Sequence, residues 1–305
     1  MAESAPNPAD LLTKLFAQKP PETAAQMRAL IDGFAPFMNT DLPEVAGFHE
    51  AVPIAPGLTA DVVVPRGEGP HPVLVYLHGG GWVCGSPSTH RKLGYRFAEA
   101  GHLVFNVDYR LAPEHPFPTP FEDCVEAIRW AAREAPRFGG DPDRLAVGGD
   151  SAGGNLAAAA AIELAGSAAA PKALLLIYGV FDFATIGDAA QGSAAVGPLA
   201  AIGKNMIDIM VGGYLGPNPG ESRLADPRVS PIHGVQRLPS CHVVVGSSDP
   251  LAVQAERLVH GLAAAGIPFE HYVDEGMPHG YMQMEFLPAA RPAIDRMIAF
   301  LRARI

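Results

Sequence analysis

Leu145-Ala146-Val147-Gly148-Gly149-Asp150-Ser151-Ala152-Gly153-Gly154-Asn155-Leu156 passes from a short apolar run into an alanine-rich one that continues to Leu164. The first half has the chemistry of a strand and the second that of a helix, so Ser151 stands at a strand-to-helix turn. Such a turn pushes its serine into a tight, strained conformation. Glycine two positions before and two after lets the neighbouring backbone pass closely. The five-residue pattern also recurs by chance, so the reading of Ser151 as a nucleophile depends on partners elsewhere in the chain.

Outward from this turn, strand-like and helix-like segments alternate. Strands are expected at Ala60–Val64, Val73–Leu77, Leu103–Val107, Arg144–Val147, Ala173–Tyr178, His242–Val245 and Phe269–Val273. Helices are expected at Phe121–Phe138, Asn155–Leu164, Ala252–Ala265 and Ala289–Arg304. Alternation of this kind predicts an α/β fold with a mostly parallel sheet flanked by helices on both faces. Two helical patterns, Pro8–Gln18 and Glu22–Met38, precede the first strand, and a third, Ile202–Tyr214, interrupts the alternation. The expected organisation is therefore a pair of N-terminal cap helices (1–45), a catalytic domain in two pieces (46–182 and 234–305), and a cap insertion (183–233).

With 305 residues and 48% hydrophobic content the chain can bury a full core. Its formal charge of −10 leaves no basic field for nucleic acid or an anionic membrane surface, and points to small-molecule ligands. The three cysteines, Cys84, Cys124 and Cys241, are too few and too scattered for a disulfide framework or a metal site, and read as buried, reduced thiols. No membrane-spanning run and no leader pattern is present, which makes a cytoplasmic location the expectation.

A serine hydroxyl attacks a carbonyl at neutral pH only with a base in hydrogen-bond reach and a third group that orients the base. His279, in Pro278-His279-Gly280, lies in the loop after Phe269–Val273 and before the last helix, where an α/β sheet presents groups at its carboxyl edge. The acid is expected between serine and histidine, at the end of another strand. Asp249, following His242–Val245, fits; Asp226, in the insertion, and Asp274, at the end of the strand feeding the histidine loop, are rivals. Backbone donors for the oxyanion are expected in Gly79, Gly80 and Gly81, after His78, with Gly80 and Gly81 foremost and Ala152 adding the amide beyond the nucleophile. The base should titrate near ~6.5.

His78-Gly79-Gly80-Gly81, Asp108-Tyr109-Arg110-Leu111-Ala112-Pro113-Glu114, Gly149-Asp150-Ser151-Ala152-Gly153-Gly154, Asp249-Pro250-Leu251 and His279-Gly280 occur in that order. Together they resemble the hormone-sensitive-lipase-like family of α/β-hydrolase carboxylesterases (bacterial family IV). The resemblance implies Ser151, His279 and Asp249 as a catalytic triad, the glycine loop as oxyanion hole, and a bracing role for Asp108–Glu114. It departs from the family's pattern where Ala252-Val253-Gln254 replaces the usual basic and acidic residues, and at Tyr281, where phenylalanine is common. The expected activity is hydrolysis of small, short-to-medium acyl esters without metal or cofactor, by a chain that forms a homo-oligomer if it assembles at all. An amidase or deacetylase of the same fold is the alternative. A non-catalytic ligand receptor is a third reading, against which the presence of His279 stands.

Overall fold

A computed structural model describes residues 21–187 and 204–305. In it the apolar runs pair as one eight-stranded sheet in the order β1-β2-β4-β3-β5-β6-β7-β8. The strands are β1 (Gly47–Ala55), β2 (Leu58–Val64), β3 (His71–Leu77), β4 (Leu103–Asp108), β5 (Gly140–Asp150), β6 (Ala173–Ile177), β7 (Ser240–Gly246) and β8 (Phe269–Asp274). Only β2 runs against its neighbours. All other pairs are parallel. The helices are α1 (Ala24–Met38), α2 (Arg91–Glu99), α3 (Thr119–Glu134), α4 (Ala152–Leu164), α5 (Lys204–Leu215), α6 (Ala252–Ala264) and α7 (Ala290–Arg302).

Helices on both faces leave the central strands without a solvent side, which is why β3 and β6 read as unbroken apolar runs rather than alternating ones. Val73–Leu77 and Ala173–Ile177 are fully buried. The alanines of α4 are buried all round, so this helix passes under the sheet with little side-chain bulk. Between β6 and β7 the chain leaves the sheet; α5 and the single turn Glu221–Leu224 lie on this excursion.

The elements differ from expectation in places. The helix expected at Pro8–Gln18 lies outside the described residues, as do the first two residues of Ile202–Tyr214. A strand at Gly47–Ala55 was not anticipated: it is an edge strand with register shifts and an internal Pro53, and none of its residues is fully buried. Helix α2 has no clear helical stripe in the sequence because Gly94 and four charged residues dilute it, although Leu93, Phe97 and Ala98 are buried. Strand β5 starts at Gly140, four residues early, and α3 ends at Glu134, with Ala135–Phe138 a 3₁₀ turn. All three cysteines are buried and free. Among the described residues no helix is long and apolar enough to cross a membrane.

Candidate active site

Parallel strands β5, β7 and β8 end at the same edge of the sheet, and each hands its following loop one polar side chain. Ser151 sits between β5 and α4 with φ +53° and ψ −118°, its N–H held by the Ile177 carbonyl at 2.8 Å. Side chains at the flanking glycines would have no room. A Cβ on Gly149 would stand 2.7 Å from the Leu77 carbonyl oxygen, and one on Gly153 would stand 2.7 Å from that of His78. The glycines thus let the turn lie against the end of β3.

His279 Nε2 is 3.0 Å from Ser151 Oγ, and His279 Nδ1 is 2.8 Å from Asp249 Oδ2. The Asp249 side chain is fully buried, and its other oxygen accepts the Leu251 N–H at 2.7 Å. That carboxylate therefore has one oxygen for the backbone and one for the imidazole. The ring of Tyr178 meets the His279 ring edge-on, 4.8 Å between centroids. Burial lowers the histidine pKa, but the charge and hydrogen bond of Asp249, with the charge of Asp150, outweigh it and leave the value above that of a free imidazole. The two rival acids are engaged elsewhere: Asp226 pairs with Arg228 at 2.7 Å, and Asp274 binds Arg296 at 2.6 Å and the Tyr281 hydroxyl at 2.5 Å. The last contact gives the unusual Tyr281 hydroxyl its partner.

Gly79 was expected among the oxyanion donors, yet its N–H donates to Asp150 Oδ1 at 3.0 Å. The Gly79 carbonyl is bound by His78 Nδ1 at 2.8 Å, and the Gly80 carbonyl accepts from Val83 N and Cys84 N at 3.2 and 3.0 Å. In a trans peptide the N–H points opposite to the carbonyl, so the N–H groups of Gly80 and Gly81 leave away from these anchors. Among the described residues nothing accepts from Gly80, Gly81 or Ala152. Gly79, Gly80, Gly81, Ser151 and His279 all border one cavity of about 850 Å³.

Several residues that hold the site were not legible in the sequence. Asp150, quoted there only as part of the serine motif, is a buried hub: it accepts from Tyr76 Oη (2.9 Å) and Gln283 Nε2 (2.9 Å), and lies 3.2 Å from His90 Nε2. It thereby joins the serine turn, the glycine loop and the histidine loop. Burial pushes its carboxyl up, and the contacts from His90 and Tyr76 bring it below the usual carboxylate value. Arg28 of α1 donates to the Val83 and Ala112 carbonyls at 2.7 and 2.8 Å and pairs with Glu114. Tyr109 stacks on His78 at 4.2 Å and bonds its carbonyl, and Ala112 N bonds the Trp82 carbonyl. The Asp108–Glu114 segment therefore braces the glycine loop from beneath. Burial lowers His78 to about 3, so its ring stays neutral.

Sheet order, the strained serine turn and the match of residues 74–283 to the family model for the alpha/beta hydrolase fold make this an α/β hydrolase. Carboxylesterase NlhH of Mycobacterium tuberculosis (strain H37Rv) is 33% identical over 235 residues, covering 76% of this chain and 73% of the relative. A hyperthermophilic esterase from Pyrobaculum calidifontis superposes with TM-score 0.86 at 28% identity, over 98% of this chain and 99% of that one. An esterase from the bacterial hormone-sensitive lipase family does so with TM-score 0.82 at 32% identity, over 99% and 100%. The chain belongs to the hormone-sensitive-lipase-like family, and its activity is that of a carboxylic ester hydrolase.

Proposed function

We propose that the protein hydrolyses short-to-medium acyl esters through an acyl-enzyme on Ser151. The observation that carries this reading is the continuous chain from Ser151 Oγ through His279 to Asp249, beside amides with no acceptor of their own. Ser151 Oγ attacks the ester carbonyl while His279 Nε2 takes its proton. Asp249 keeps the Nδ1 proton in place and stabilises the imidazolium. The N–H groups of Gly80, Gly81 and Ala152 receive the oxyanion, the last with the favourable field of the α4 N-terminus. His279 then gives the proton to the departing alcohol, and water, activated by the same imidazole, releases the acid.

The cavity supports the substrate class. Met27, Ile31 and Phe34 of α1 face it together with Met206, Ile207 and Met210 of α5. These two helices act as a cap over the sheet edge, and their apolar side chains suit an acyl chain while excluding water from the reacting carbonyl. The test is a series of p-nitrophenyl esters from C2 to C12 alongside the matching anilides. The expected result is a kcat/KM maximum among the short and medium esters, with anilides orders of magnitude slower. Anilides turned over faster than esters would replace this reading with an amidase.

The pH profile gives a second test. The imidazole must be neutral to act, so activity is lost as pH falls through its pKa. Asp249 and Asp150 hold that pKa up, and the acid limb of kcat/KM is expected to have its inflection above the ~6.5 of a free histidine. An inflection below that value would mean that the limiting ionisation belongs to another group.

A further inference from the structure

Gly80, Gly81 and Trp82 follow one another with φ of +121°, +59° and +63°. Glycine takes such values freely, whereas a tryptophan holds them only where its surroundings over-determine the backbone. A large part of those surroundings comes from α5. Met210, Gly213 and Tyr214, spaced i, i+3, i+4, form one face of that helix, and all three lie on the glycine turn. A Cβ on Gly81 would run into the Met210 side chain, and a Cβ on Gly213 would stand 3.0 Å from Val83 Cγ1. The Tyr214 ring lies flat on the Trp82 indole, 4.8 Å between centroids and 5° between planes. Phe183 also packs against the indole at 4.9 Å, leaving Trp82 1% exposed. Trp82 Nε1 and Tyr214 Oη are buried and have no hydrogen-bond partner among the described residues. The contact is ring against ring.

We propose that Tyr214 is a positioning residue for the oxyanion donors: its ring holds Trp82 in the left-handed conformation that aims the Gly80 and Gly81 amides at the developing oxyanion. Helix α5 is then a template for the donor turn as well as a wall of the acyl pocket. This inference rests on the serine-hydrolase reading above. Its mechanism separates it from a purely structural role, because a misaimed amide weakens the tetrahedral state and leaves ground-state binding alone.

The experiment compares Tyr214→Leu with Tyr214→Phe, using p-nitrophenyl acetate, a trifluoromethyl ketone and the matching methyl ketone. The trifluoromethyl ketone accepts Ser151 Oγ at its carbonyl carbon; the carbonyl π pair moves to oxygen as the oxyanion, and the serine proton goes to His279. The methyl ketone forms no stable adduct and reports ground-state binding. Tyr214→Leu is expected to lower kcat roughly tenfold to a hundredfold, less than the 10²–10³ typical of deleting a donor, with KM near the parent value. Affinity for the trifluoromethyl ketone should fall by the same factor while the methyl ketone is unaffected. Tyr214→Phe keeps the ring and should behave as the parent. Parent-like kcat in folded Tyr214→Leu, equal losses on both ketones, or a Tyr214→Phe as impaired as the leucine variant would each overturn the proposal. If Tyr214→Leu does not fold, Gly213→Val carries the test, since its branched side chain pushes the same helix face off Val83; the signature should be the same, and a parent kcat would count against the idea. Activity surviving in Ser151→Ala would instead remove the underlying hydrolase reading, so the two failures are distinct.

Discussion

Ser151→Ala is expected to lower kcat by about 10⁶ while the protein stays folded, since loss of a serine nucleophile costs as much as loss of the whole triad. The fold should tolerate the change because, among the described residues, the Ser151 hydroxyl hydrogen-bonds only to His279, while the strained turn is held by its backbone N–H on Ile177 and by the close passage at Gly149 and Gly153. The residual rate over water comes from the donors and the pocket. A fluorophosphonate should label the parent protein at Ser151 and leave the variant untouched. Near-parent turnover, or a label recovered on another residue, would show that the nucleophile lies elsewhere.

Asp249→Asn is expected to cost about 10⁴ in kcat, equivalent to about 5.4 kcal/mol of barrier. The geometry says why so small a change has so large an effect. Leu251 N–H requires an oxygen at the Oδ1 position, so the asparagine carbonyl must face Leu251 and its amide must face His279. An amide N–H can only donate, which forces Nδ1 to accept and moves the imidazole proton to Nε2, the position that should take the proton of Ser151. The substitution is isosteric and leaves the packing in place, so KM and thermal stability should stay close to the parent. The acid limb of the pH profile should also move down, because the asparagine no longer raises the histidine pKa. If Asp274→Asn proved the more damaging variant, the assignment of the acid would be wrong.

The residues of the proposed triad were readable because local rules confine them. A serine at a strand-to-helix turn needs glycine on both sides, an orienting acid and a base in an α/β sheet sit at strand ends, and Ser151, Asp249 and His279 each carry that local mark. The central strands were readable for a similar reason, since burial on both faces turns the buried stretches of β3 and β6 into unbroken apolar runs. What the sequence hides is set by contacts between distant segments. The loss of Gly79 from the donor set depends on where the Asp150 carboxylate points, 71 residues away along the chain. His90, Gln283 and Arg28 have no local signature at all, and their roles exist only where the folded chain brings them to Asp150 or to the glycine turn. Strand β1 shows the same limit from the other side: at a sheet edge half its residues face water, and the apolar pattern that announces a strand is absent.

The hydrogen bond between His279 Nε2 and Ser151 Oγ closes a loop of 128 residues, and the strands that position its two ends are separated in the sheet by β6 and β7. Contacts of such long sequence separation form late, because the entropy of closing the intervening chain must be overcome before they contribute. During refolding, secondary structure and burial of the central strands should therefore recover before hydrolysis does. A nascent chain on the ribosome is in the same position: with Ser151 already at its turn, the proposed nucleophile has no base until the segment beyond β8 has emerged and docked, and so it stays inert through most of the chain's synthesis.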